Sequence, residues 1–130
     1  MSLVFTNGCF DILHRGHIEL LKFCRGSGNI VFVGLNSDKS VKLLKGDKRP
    51  FNTEEDRKAI LESIRYVDKV IIFDEETPYS LIQKIKPDII VKGGDYTVNN
   101  VVGNDLAEGK IFKYVKGYST TKTIENITNR

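Results

Sequence analysis

A chain of 130 residues is most simply one domain, long enough to bury roughly two thirds of the surface its unfolded form would expose. Its formal charge of +3 is mild and its basic residues are dispersed apart from the cluster KLLKGDKR, which argues against a general nucleic-acid surface and suits a few placed cations for a small phosphate ligand. The opening MSLVFTNGCF lacks a signal pattern, no apolar run approaches bilayer length, and Cys9 and Cys24 form no CxxC pair, so a soluble cytoplasmic protein with two free thiols and no nucleic-acid or membrane partner is expected.

In chain order, the apolar stretches LVF, IVFVGL, KVIIF, DIIV and KIFKYV read as short strands, rich in Val, Ile and Phe and bounded by Gly, Asp or Asn. After the first strand, TNGCFD reads as a loop and HRGH as the start of a helix in which Ile18, Leu21 and Cys24 follow helical spacing, widened by Leu20. GSGN stops that helix. DKSVKLL reads as helical, and Thr53 as the N-cap of EEDRKAILESI with Asp56 at the capping-box position. Pro78 opens a further helix, YSLIQKI, which Pro87 closes. Strands alternating with helices predict an α/β fold, Rossmann-like and doubly wound, with a mainly parallel five-stranded sheet and helices on both faces. No repeat or linker divides the chain, so residues 1–130 form a single domain on this reading.

Such sheets bind ligands beyond the carboxyl ends of their strands. Both histidines, His14 and His17, fall at that edge, around Gly16, where a helix N-terminus and a missing side chain would let a phosphate approach the backbone. Imidazoles there can donate hydrogen bonds to phosphate oxygens. A pair on a helix surface is equally compatible with a purely structural role. Zinc is the other chemistry an H-x-x-H pair suggests, but no HExxH motif or clear third ligand accompanies it. The glycines of RGSG follow a helix rather than a strand, so they are not a dinucleotide fingerprint, and no GxxxxGK[ST] loop is present.

Three segments together carry a resemblance. TNGCFDILHRGH resembles the first signature of the HxGH superfamily of nucleotidyltransferases in its small cytidylyltransferase-like branch, YSTTKTIENI resembles the closing one, and IIVKGGDY lies between them in the expected order. Within the branch, LLKGDKRPFNTEEDR and VKGGDY most resemble the adenylyltransferases that activate D-glycero-β-D-manno-heptose 1-phosphate. Glycerol-3-phosphate cytidylyltransferase is the alternative. It carries RTEGISTT and GDDW where this chain has YVKGYSTT, with Tyr114 in place of the arginine, and GGDY. A nucleotide-binding sensor without turnover is the reading from outside enzymology.

The resemblance implies attack of a sugar 1-phosphate oxygen on the α-phosphorus of a nucleoside triphosphate, ATP before CTP, with pyrophosphate leaving. It implies that His14 and His17 stabilise the transition state and that Lys45, on the KGDKR loop, closes over the phosphates, with Lys48 and Arg49 as further cations. Thr6, Asn7, Gly8, Cys9 and Phe10 of the first loop would bind nucleotide with Gly16. Gly93 and Asp95 would approach the base or ribose, and Ser119, Thr120 and Thr121 would make a second phosphate site at the last helix. Asp11, Arg49, Arg57 and Lys92 are the candidates for acceptor binding; Asp11 could instead hold a turn or cap, and Arg57 a surface ion pair. Mg²⁺ is implied as the ion neutralising the triphosphate, with no protein metal site. A homodimer is one assembly the resemblance implies. The branch is in some bacteria fused to a sugar kinase, of which this sequence carries nothing, so a separate kinase upstream is expected.

Overall fold

In the computed structural model, which describes residues 2–94, 100–113 and 126–127, strands and helices alternate along the chain as the apolar runs predict. The strands are β1 (Leu3–Gly8), β2 (Ile30–Asn36), β3 (Lys69–Phe73), β4 (Ile89–Gly93) and β5 (Glu108–Phe112). The helices between them are α1 (Arg15–Ser27), α2 (Asp38–Lys45), α3 (Glu54–Glu62) and α4 (Tyr79–Ile85). Among the described residues the sheet has five strands in the order β3-β2-β1-β4-β5, and every pairing is parallel.

Side chains alternate across each strand, so one apolar run serves two cores. Val4, Val31, Val33, Ile89 and Val91 face Leu20, Leu21 and Cys24 of α1 and Leu61 of α3. Phe5 and Ile90, at the intervening positions, pack with Ile82 of α4 and with Val101 on the opposite face. The near-continuous Val/Ile composition follows from this two-sided burial.

The first strand is longer than expected. Thr6, Asn7 and Gly8 continue the ladder opposite Val33, Gly34 and Leu35, so the loop begins only at Cys9. β2 offers a partner for every residue as far as Gly8, and an unpaired β1 end would leave backbone groups without hydrogen bonds. Thr53 caps α3 as predicted, its hydroxyl accepting from the Asp56 N–H, and the helix stops at Glu62, two residues before Ile64. Ser37 caps α2 in the same way through the Ser40 N–H. Chain order β1, β2, β3 runs outward in one direction, and the link through α4 then returns to place β4 on the other side of β1. The topology therefore switches between β1 and β4, where the strand ends open a crevice.

Candidate active site

A cavity of about 640 Å³ lies at this switch point. Asn7 and Gly8 of β1, Asn36 of β2, Lys92 and Gly93 of β4 and Phe112 of β5 form its floor, while His14, Gly16, His17 and Leu20 enter from α1. Leu44 and Lys45 close one side from the end of α2.

The two histidines build the start of α1. His14 is the N-cap, and its ring nitrogen Nδ1 accepts the Gly16 N–H at 3.0 Å. His17, three residues on, returns the interaction: its Nδ1 accepts the His14 N–H at 3.3 Å. The arrangement is a capping box made of imidazoles rather than Ser and Glu. The rings stack with centroids 3.9 Å apart, and Phe10 packs on His17 at 5.2 Å. With Nδ1 accepting, a neutral ring carries its proton on Nε2, so each imidazole presents an N–H donor at the edge opposite the cap. Burial is the main cause holding both rings neutral; for His17 the neighbouring His14 and Lys45 add to it, and its pKa falls to about 3. The Gly16 N–H is taken by His14, so it is not the open phosphate donor that the helix N-terminus promised.

Cationic charge comes from Lys45, Arg49 and Lys92, all lining the cavity. Burial, with the charge of Lys45, depresses the Lys92 ammonium. Burial also raises the Cys9 thiol above its ordinary 9.0, against the opposing pull of Lys45, Arg57, Arg49 and Lys92. Cys9 is therefore a neutral loop residue at pH 7 rather than a thiolate nucleophile. Phe10 adopts φ 46°, a left-handed backbone that a bulky residue takes only when its surroundings hold it, here the apolar contacts of its ring in the α1 core. Lys48 is exposed and does not reach the cavity.

Three expectations change. Arg57 is neither a surface ion pair nor a substrate contact: its side chain is fully buried outside the cavity lining. It donates to the carbonyls of Asn52, Cys9 and Asn36 and to Asp38 Oδ1, at 2.7–3.0 Å. Asp11 lines the cavity, but its carboxylate accepts the N–H groups of Phe51 and Asn52 and the Arg49 Nε–H at 2.9–3.0 Å. Burial alone would raise its pKa; those donors outweigh burial and hold it below the usual carboxylate range. Thr6 is buried beneath the cavity, its hydroxyl beside the Cys24 thiol. Alternation along β1 turns it inward while Asn7 reaches the site.

Residues 5–126 match the cytidylyltransferase-like family, which covers the strands, the histidine cap and the lysine-bearing segment just described. The chain belongs to the cytidylyltransferase-like family. It is 56% identical over 127 residues to the bifunctional protein HldE of Aliarcobacter butzleri (strain RM4018), an alignment covering 97% of this chain and 27% of that protein. The chain thus spans about a quarter of the length of the curated relatives it matches. Among solved structures it is similar to the lipopolysaccharide core biosynthesis protein from Thermoplasma volcanium, with a TM-score of 0.74, 29% identity and coverage of 92% of this chain and 99% of that one. Pantoate-beta-alanine (pantothenate synthetase) from Thermus thermophilus shares the fold, with a TM-score of 0.61 at 15% identity over 96% of this chain and 64% of that one.

This cytidylyltransferase-like chain also lines its cavity with residues that motif reading passed over: Glu76, Thr77 and Pro78 after β3, and Asn100, Val101 and Val102 before β5. The first three follow the carboxyl end of a strand, a signal that could have found them. The second three lie in an irregular turn with no such mark. Asp95, Ser119, Thr120, Thr121 and Tyr114 lie outside the described residues. No helix among the described residues is long and apolar enough to cross a membrane.

Proposed function

We propose that the chain is a nucleotidyltransferase that joins the adenylyl group of ATP to a sugar 1-phosphate, D-glycero-β-D-manno-heptose 1-phosphate, and acts in the cytoplasm. The observation that carries the reading is the imidazole capping box at the switch point: two neutral imidazoles held by the backbone, both lining a cavity supplied with cations. The first-loop and VKGGDY resemblances and the high identity to HldE proteins support the adenylyl and heptose assignments, and the alternative, glycerol-3-phosphate with CTP, is not favoured.

In the step, an oxygen of the sugar phosphate forms a bond to the α-phosphorus, the bond from that phosphorus to the β-phosphate oxygen breaks, and pyrophosphate leaves. The nucleophile is already ionised near neutral pH, so no general base is needed. Catalysis is then positioning and stabilisation of charge. His14 and His17 donate from fixed positions, without paying reorganisation as charge builds, and Lys45 adds a full positive charge opposite them. Mg²⁺, if carried in by the triphosphate oxygens, would supply neutralisation of the phosphate charge. Asp11 is already engaged by three protein donors, which fits metal delivery on the substrate. On this reading a separate kinase acts upstream to phosphorylate the acceptor sugar.

Pyrophosphate release by the full chain, measured over a matrix of ATP and CTP against heptose 1-phosphate, hexose 1-phosphates and glycerol 3-phosphate, tests the proposal. Turnover with ATP and the heptose phosphate is expected. Nucleotide binding without turnover for any pair would favour a sensor, and preference for CTP with glycerol 3-phosphate would favour the other branch.

A further inference from the structure

Arg49 is held in an unusual way. Its side chain is 12% exposed and lines the cavity, and its Nε–H meets Asp11 Oδ2 at 2.9 Å. Asp11 cannot swing. Its side chain is fully buried, its carboxylate also accepts the backbone N–H groups of Phe51 and Asn52, and its own carbonyl accepts the Asn52 side-chain amide at 2.7 Å. The guanidinium is planar, so fixing Nε and its plane also fixes the direction of the two terminal nitrogens. One of them, Nη2, is buried and has no hydrogen-bond partner among the described residues. A charged donor removed from water without an acceptor is destabilising, and it persists where a ligand completes it. The acceptor that matches a guanidinium edge beside a phosphate-handling cavity is a phosphate oxygen.

We propose that Arg49 binds the phosphate of the acceptor substrate and that Asp11 is the positioning residue that aims it. The inference rests on the nucleotidyl-transfer reading of the cavity and adds to it which anion goes where. Two anions must meet in this reaction. The imidazoles stand on the cap of α1, whereas Arg49 is fixed on the separate segment 49–52 that Asp11 pins. With the triphosphate at the histidine cap, the second phosphate falls to Arg49, and Lys45, the last residue of α2, lines the same cavity.

Steady-state kinetics of the full chain, with ATP and sugar phosphate varied separately, test this. Arg49→Lys keeps the charge but loses the fork, and is expected to raise KM for the sugar phosphate by about tenfold or more, with kcat and KM for ATP changed less than about threefold. Asp11→Asn should give the same split, and the double variant should be no worse than the worse single one, because both act through one group. A rise in KM for ATP instead, additive effects, or a fall in Tm with no selective rise in KM would overturn the assignment. If wild type turns over no sugar phosphate, the nucleotidyl-transfer reading fails separately. Calorimetric titration of inorganic phosphate into protein carrying a non-hydrolysable ATP analogue then decides for Arg49: binding lost in Arg49→Lys upholds it, and binding that is absent or unchanged overturns it.

Discussion

At the scale of the residue, the proposed function gives the histidine pair a second duty beside the capping that the structure shows. The same Nδ1 atoms that satisfy backbone donors at the start of α1 force the proton of each neutral ring onto Nε2. Capping thereby sets the tautomer. His17→Ala should remain folded and lose about a hundredfold or more in kcat, the scale of removing one preorganised donor; pyrophosphate release checks it. The neutral state also has a consequence for stability. Burial first, then His14 and Lys45, take the His17 pKa from its ordinary 6.5 down to about 3. The unfolded chain therefore binds the proton more readily than the folded one, and folding is progressively disfavoured as pH falls from 6.5 toward 3. Thermal unfolding between pH 7 and 5 should show Tm falling with acid, and a shallower fall in His17→Gln, which keeps a capping side chain but does not titrate.

At the scale of the element, two positions show how closely the pieces fit. Gly34 sits in the middle of β2, where an added Cβ would lie 2.6 Å from the Phe5 ring and 3.3 Å from the Asn7 side chain. β1 and β2 can carry that bulky ring at their junction because position 34 has none. Gly34→Ala should cost about 1–3 kcal/mol as an overpacked core does, read as a lower denaturation midpoint. Arg57 plays the complementary part on α3. Its four hydrogen bonds tie the first-loop carbonyl of Cys9, the end of β2 at Asn36, the turn at Asn52 and the first residue of α2, Asp38, to one buried cation. Arg57→Met is expected to lower stability by about 3 kcal/mol, because it leaves three carbonyls and a carboxylate without their donor. Activity per folded molecule should fall as well, since the loop bearing Cys9 and the segment bearing Arg49 lose their common anchor.

At the scale of the whole molecule, the candidate site lies where the order of strand addition reverses, between β1 and β4. β1 and β4 come from distant parts of the chain, yet pairing Val4 with Ile89 and Phe5 with Ile90 sets Gly8 and Gly93 together on the cavity floor. α2 brings Lys45 to the rim, and Gly46 at φ 97° ends the helix so that the chain can turn toward the segment pinned by Asp11. Lys45 is exposed, in contrast to the fixed histidines, as suits a cation that closes over a bound triphosphate. If its charge acts mainly as pyrophosphate departs, Lys45→Ala should slow the chemical step far more than it weakens ATP binding. Single-turnover rates and ATP Kd on the same variant check this: equal losses would make Lys45 a ground-state clamp.

The alternation of apolar runs and helical patterns by itself determines the parallel sheet, the helices on both faces and the placement of HRGH at a strand's carboxyl end, because periodicity and turn chemistry are local. Asn7, Gly8, Cys9, His14, His17 and Gly93, which line the cavity, were legible at such ends for the same reason, whereas Lys45, Arg49 and Lys92 were named only through the family resemblance. What the sequence could not show is which side chains the folded protein itself consumes. Asp11 and Arg57 look like ligands for a substrate when read in line, yet distant segments supply their partners: residues 49–52 for Asp11, and residues 9, 36, 38 and 52 for Arg57. Thr6 pointed inward once β1 proved longer than its apolar core, and Thr77, Asn100 and Val102 joined the cavity only through sheet order. Hydrogen-bond saturation and strand order are properties of contacts between residues far apart in the chain, so only the tertiary structure decided them.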